Sequence, residues 1–180
     1  MNFDELKRHN NLSQYKKNFD KLQAIAFKDI VINGVCIRIL GIHYMEIDPD
    51  WSVKKHRHSF FEFHYVSGGY TYTTINNVER RINAGSFYIM PPGTYHSHRQ
   101  DQGNGHSGFA LRWEFVKKDV KAEFGCSSYE LESMGKLLLN VSALPVEDGG
   151  IILNQMTNLL ELTEQEVWNL TLQLAFCQLF

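Results

Sequence analysis

Two short histidine-bearing clusters constrain this chain more than any other feature. The first, "HRHSFFE", supplies His56, His58 and Glu62; the second, "GSFYIMPPGTYH", runs from Gly85 to His96. Three imidazoles and one carboxylate on two separate segments can meet only if the chain between them folds back on itself. Alternation along a strand sends every second side chain to one face, so His56 shares a face with His58, and Glu62 shares one with His64.

The surrounding sequence supplies the strands for such a fold. "IVINGVCIRILGIHYMEI" is rich in β-branched residues, with Asn33-Gly34 as a turn signal. "FFEFHYV", "YTYTTI", "VERRI", "SFYIM" and "SGFALRWEFV" follow. They are separated by Ser67-Gly68-Gly69, read as a tight turn, by Asn76-Asn77, by Asn83-Ala84-Gly85, by Pro91-Pro92-Gly93 and by a polar loop from Gln100 to Gly105. Short strands at close spacing predict a mainly β protein, an antiparallel sandwich or barrel.

Both flanks read differently. Residues 1–30 carry weak helical spacing (Leu6, Leu12, Tyr15, Phe19, Leu22) among many polar residues and read as a solvated arm or short helix. After Val116 the period becomes helical. Ser127 to Glu130 has capping-box form, with Leu131, Met134, Leu137 and Leu138 on one face. "ALPV" reads as a last strand, and "IILNQMTNLLEL" groups Ile152, Met156, Leu159 and Leu160. A second capping box, Thr163 to Glu166, opens an apolar helix that runs to Phe180 without a cap or charged tail, which calls for a partner or a continuing chain. The expected organisation is an arm over 1–30, a barrel over 31–120 and a helical region over 121–180.

A length of 180 residues suits one domain with a sizeable core. A net charge of −2 disfavours direct nucleic-acid binding by this piece. Cys36, Cys126 and Cys177 are scattered without CxxC spacing, which points to free thiols in a reducing compartment. The first residues lack the apolar core of a signal peptide, and no apolar run approaches the ~20 residues of a membrane span. The expected location is the cytoplasm.

His56, His58, Glu62 and His96 form a nitrogen and oxygen donor set without thiolate, suited to zinc, iron, manganese or nickel. The other reading of the same set is a polar pocket floor, each imidazole satisfied by a neighbour. His43, His64, His98 and His106 are further imidazoles that the sequence does not place, and one of Arg38, Arg80 and Arg112 could reach inward to a carboxylate. Tyr44, Trp51, Tyr72, Tyr88 and Trp113, with His64, are candidates for the wall of a ligand pocket, where stacking would suit a sugar or an aromatic compound.

The two clusters resemble the motifs of the cupin superfamily. His56, His58, Glu62 and Gly69 match the first motif in spacing, with Asp50 where the family has a leading glycine. Gly85, Pro91, Gly93 and His96 match the second, with Gln100 where asparagine is usual. The resemblance implies a double-stranded β-helix, or jelly-roll barrel, in which His56, His58, Glu62 and His96 stand at the family's metal-ligand positions. "HRHSFFEFHYVSGG" and "AGSFYIMPPGTYH" further resemble the sensor half of AraC-type transcription regulators. That likeness implies a small-molecule effector in the barrel and a homodimer built on the C-terminal helices, for which Leu159, Trp168, Leu170 and Leu174 are candidates. It also implies DNA contact only through a helix-turn-helix domain outside this chain, which then reads as the N-terminal part of a longer regulator, with no catalytic residues. A metal-dependent cupin enzyme, an oxygenase or isomerase, is the alternative. A storage cupin comes third, because it would not need the helical tail.

Overall fold

The alternating runs form strands in the computed structural model, which describes residues 12–25, 29–32, 35–116, 133, 136–139, 144–165, 171–172 and 175. The strands are β1 (Ile30–Ile32), β2 (Val35–Ile47), β3 (Ser52–His56), β4 (Phe61–Ile75), β5 (Val78–Asn83), β6 (Ser86–Met90), β7 (His96–Arg99), β8 (His106–Val116) and β9 (Val146–Glu147). Every described pairing is antiparallel. One sheet runs β1-β2-β8-β4-β6-β9, and β3, β7 and β5 gather on the other half of β4. The result is the mainly β cupin barrel that the two motifs imply.

The expected turn at Ser67-Gly68-Gly69 is instead the middle of β4. Phe61 to Val66 pair with β6 and β8, whereas Tyr70 to Ile75 pair with β5 and β7. The strand therefore crosses from one sheet to the other at its glycines. Gly69 has φ of 71°, and a Cβ there would lie 2.2 Å from the Gly105 carbonyl oxygen. Across the same corner, a Cβ on Gly108 would lie 1.9 Å from the Tyr65 carbonyl oxygen. Glycine is required because the two backbones are pressed together where the sheet bends.

Alternation decides what each face of the first sheet touches. Phe61, Phe63 and Tyr65 of β4, with Phe109, Leu111 and Trp113 of β8, face outward into the main apolar core. That core is covered by α1 (Lys16–Ile25), which buries Phe19 and Leu22, and α2 (Ile151–Leu162), which buries Leu153, Met156, Leu159 and Leu160. Residues 12–25 of the stretch read as a solvated arm or short helix are thus helical and docked on the core, while Leu6 lies outside the described residues. Tyr15 Oη donates to Glu161 Oε1 at 3.0 Å, and Asn18 Nδ2 to the Leu160 carbonyl at 3.0 Å, fastening the two ends together.

The start of α2 depends on Asp148. Its Oδ1 accepts from the Ile152 N–H at 2.7 Å, and its Oδ2 accepts from the Leu153 N–H and the Tyr65 hydroxyl, each at 3.0 Å. A single buried carboxylate thereby caps the helix and ties it to β4. At the other end, Thr163 Oγ1 donates to the Leu160 carbonyl at 2.6 Å and closes α2. The helix expected to follow lies mostly outside the described residues, as does the first capping box. Leu138 packs against the core, but Leu137, expected on the same face, is 70% exposed. Among the described residues no helix is long and apolar enough to cross a membrane.

Candidate functional site

The register of β3 against β7 pairs His56 with His96 and brings the two clusters together. The intervening loop is pinned when the Gly93 N–H donates to the His58 carbonyl at 2.8 Å. Glu62 and His64 reach the same interior from β4, whose Phe61 and Phe63 point the other way. Among the described residues, donor atoms of His58, Glu62 and His96 all lie within 4.8 Å of one another. Glu62 Oε2 is 3.1 Å from His58 Nε2 and 3.7 Å from His96 Nε2.

The ring tautomers follow from the backbone. His58 Nδ1 lies 2.7 Å from the Phe60 carbonyl, His96 Nδ1 lies 2.9 Å from the Thr94 carbonyl, and His56 Nδ1 lies 3.0 Å from the Lys54 carbonyl. A carbonyl only accepts, so each Nδ1 carries hydrogen, which leaves Nε2 as the atom turned toward the interior for a proton or a metal. Burial raises the cost of ionising Glu62, but the His58 and His64 imidazoles and the Arg112 guanidinium beside it outweigh that and hold the carboxyl well below its ordinary range. His58 Nε2 and Glu62 Oε2 face each other at 3.1 Å, a contact that needs a proton or a metal cation between the two atoms.

The donor set fits a divalent metal. His96 Nε2 is buried and has no hydrogen-bond partner among the described residues, and burial lowers the pKa of this ring to about 4, leaving its lone pair free at neutral pH. Metal bonds of about 2.0–2.2 Å place neighbouring ligand atoms roughly 3–3.5 Å apart, close to the separations around Glu62 Oε2. His56, expected as the fourth ligand, stands beside the set and is not part of it. Its ring centroid is 4.2 Å from that of His96.

The second carboxylate oxygen belongs to other partners. Arg112 Nε donates to Glu62 Oε1 at 2.7 Å, so Arg112 is the inward-reaching arginine. Arg38 instead joins Glu114 at 3.2 Å and Asp29 at 3.0 Å. His64 Nε2 is 3.4 Å from Glu62 Oε1 without hydrogen-bond geometry, and is buried with no hydrogen-bond partner among the described residues.

Past His64 the interior opens into a cleft of about 210 Å³, its opening to solvent included, lined by Met45, Ile47, Trp51, His64, Thr71, Tyr88, His98 and His106. The enclosed part is about the size of one water molecule. His64 stacks on His98 at 5.3 Å and lies 5.2 Å from Tyr88, while Trp51 covers His98 at 6.4 Å from the rim. Thr73 Oγ1 donates to the Tyr88 hydroxyl at 3.2 Å and accepts from His98 Nδ1 at 3.0 Å. Burial, aided by His64 and His96, keeps His98 well below its ordinary range, and burial takes His106 down to about 4. The His98 and His106 rings of the cleft are thus neutral at ordinary pH.

Both departures from the cupin motifs are accommodated. Asp50, in place of glycine, retains a positive φ of 66°, which aspartate tolerates better than most residues. Gln100, in place of asparagine, is buried and donates to Thr71 Oγ1 at 3.0 Å and to His106 Nδ1.

Not every expected residue reaches the interior. Tyr44 and Trp113 fall on the outer face, where Tyr44 packs 5.9 Å from Phe19 and Trp113 stacks on Phe61 at 5.3 Å. Tyr72 points out of the other sheet, because Thr71 and Thr73 take the inward positions, and carries the Arg99 guanidinium at 4.0 Å. Strand parity excludes all three from a pocket inside the barrel. Leu159, expected at a dimer interface, is fully buried in the core of its own chain and offers no surface to a partner. Trp168, Leu170 and Leu174 lie outside the described residues. His98, His106, Thr71 and Thr73 were not foreseen as site residues, although the period of two in "HSHR" and "TYTTI" carries that signal.

Residues 41–114 match the model of the AraC-like ligand binding domain. Solved structures similar to the chain include a cupin 2 conserved barrel domain protein from Salinispora arenicola (18% identity, 48% of this chain and 82% of that one, TM-score 0.39). A predicted oxalate decarboxylase from Thermotoga maritima is 18% identical over 50% of this chain and 94% of its own, with TM-score 0.39. The polyketide cyclase RemF from Streptomyces resistomycificus is 18% identical over 63% and 92%, also with TM-score 0.39. No curated protein sequence matches the chain.

Proposed function

Taking residues 41–114 as a member of the AraC-like ligand binding domain family, we propose that the barrel is the sensor of a transcription regulator. A small-molecule effector enters the cleft beneath Trp51 and shifts the population of dimer arrangements, changing where attached DNA-binding domains can sit. The observation that carries this reading is the His64 imidazole, which lines the cleft and whose buried Nε2 has no hydrogen-bond partner among the described residues. A buried polar atom of this kind is satisfied when a ligand supplies the missing group. In this reading residues 121–180 supply the homodimer contact, DNA is touched only by a domain outside this chain, and the protein works in the cytoplasm.

Where a divalent metal is bound, His58, Glu62 and His96 would hold it, and it would supply a Lewis-acidic anchor for an oxygen or nitrogen of the ligand. The convergence of donor atoms from His58, Glu62 and His96 favours that arrangement and also sustains the second reading, a metal-dependent cupin enzyme. A thermal-shift screen of chelator-treated protein separates the readings. If sugars or aromatic compounds raise the melting temperature and Trp51→Ala or His64→Leu abolishes the shift, the sensor reading holds. If no compound binds the metal-free protein, while zinc, iron(II), manganese or nickel stabilises the native chain but not Glu62→Gln and then confers turnover, the enzyme reading replaces it.

A further inference from the structure

Arg112 is only half used. Its Nε is committed to Glu62 Oε1 at 2.7 Å, but among the described residues its two Nη groups have no acceptor. The side chain is 41% exposed, so this edge faces solvent from a root held inside the barrel. The next acid on the same face of β8, Glu114, does not cancel it, being bound to Arg38 at 3.2 Å. His43, half-buried, shares a face with Arg112 across the β2–β8 pair, where Gly41 is opposite Arg112 and His43 opposite Ala110. Phe60 adds an apolar wall, with the guanidinium carbon 6.0 Å from its ring centroid. The adjoining segment "WSVKKHRHSF" carries Lys54, Lys55 and Arg57 and no acid.

We propose that the ligand of this barrel is a carboxylic acid whose body lies toward the cleft wall at His64, and that its carboxylate is received by the outer Nη edge of Arg112, two residues along β8 from the partner of His64 and beside His43 and Phe60. The proposal rests on the sensor reading and gives the effector its chemical class: an aromatic acid or a sugar acid. The geometry favours a carboxylate over a phosphate. One guanidinium edge offers two parallel donors, which match the two oxygens of a planar carboxylate. A phosphate dianion would need further donors and would sit beside the ionised Glu62. Arg112 would then be clamped at both edges, by Glu62 within and by the ligand without, and the basic segment would raise the capture rate of anions.

The test pairs acids with neutral counterparts on the native chain: benzoate against benzamide, galacturonate against galactose, with inorganic phosphate as a third anion. Saturable binding is read by thermal shift and by the Arg112 Nε–Hε resonance, identified by its loss in Arg112→Lys. The expected result is that an acid binds and its neutral counterpart does not, and that Arg112→Lys, which keeps the charge but loses the fork, weakens the acid about tenfold. A general structural lesion would weaken acid and neutral compound alike, and His43→Gln, which leaves the Glu62 pair intact, should also weaken the acid selectively. Benzamide or galactose binding as well as its acid, or acids binding Arg112→Lys unchanged, would overturn the proposal while leaving the sensor reading intact. Phosphate binding more tightly than either acid overturns the carboxylate assignment. Binding by none of the five would overturn both.

Discussion

Asp148 gives the sharpest test of how the barrel and its helices are joined. Replacing it with alanine removes the acceptors of the Ile152 and Leu153 N–H groups and of the Tyr65 hydroxyl. Loss of a helix cap costs about 1 kcal/mol. Loss of a hydrogen bond to a charged group, with the Tyr65 hydroxyl left unpaired, adds about 1.5–3 kcal/mol. The expected destabilisation is therefore roughly 3 kcal/mol, or a drop in melting temperature of roughly 6–12 °C for a chain of this size. Urea denaturation followed by tryptophan fluorescence measures it. Tyr65→Phe alone should cost about 1–2 kcal/mol, and the double variant should cost less than the sum of the singles, by about 1 kcal/mol or more, because the pair shares one bond. A loss under about 0.5 kcal/mol for Asp148→Ala, or strict additivity in the cycle, would refute the idea that this carboxylate joins the helix to β4.

Other expectations concern protonation, packing and assembly. In chelator-treated protein, His96 and His106 each have a folded-state pKa of about 4 against an ordinary 6.5, so the unfolded chain takes up protons first. Stability should be fully retained above about pH 6.5 and erode by on the order of a few kcal/mol as the pH falls to 4, measured by denaturant midpoints across that range; a flat profile would contradict the neutral-imidazole interior. Gly108→Ala should cost well over 2 kcal/mol or prevent folding, because its Cβ would collide with the Tyr65 carbonyl; a native-like melting curve would show that the corner can relax. Aspartate at Leu170 or Leu174 should give monomers in sedimentation, and an unchanged dimer would move the interface elsewhere.

Much of this architecture was legible in the residues. The strand boundaries follow the Asn76-Asn77, Asn83-Ala84-Gly85 and Pro91-Pro92-Gly93 signals, and the spacing of His58, Glu62 and His96 foretold their convergence. Two kinds of information were hidden. Ser67-Gly68-Gly69 carries the composition of a turn, and only the close approach of β8 shows that glycine there serves a bend within one strand. The aromatic wall failed on parity. Tyr44 lies beyond the β-bulge between Ile39 and Gly41, and Trp113 alternates with Arg112, so only a fixed register decides which residue enters the barrel. Arg112 was one of three arginines able to turn inward, and pairing with Glu62 singled it out. His56 matched its motif in spacing but packs beside the other imidazoles, a matter of side-chain direction that spacing does not encode.

The span of β4 also dictates an order of assembly during synthesis. β2 can form its short hairpin with β1 at once, but its long partner β8 lies some seventy residues downstream. Both halves of β4 must be in place before the two sheets can close, and β8 must then enter between β2 and β4. Until the ribosome has released residues through Val116, β2 exposes an unpaired hydrogen-bonding edge bearing Ile37, Ile39 and Ile42. Such non-local pairing folds slowly and leaves that edge open to other chains in the meantime. The same long strand that holds the finished barrel together makes its nascent form dependent on rapid completion.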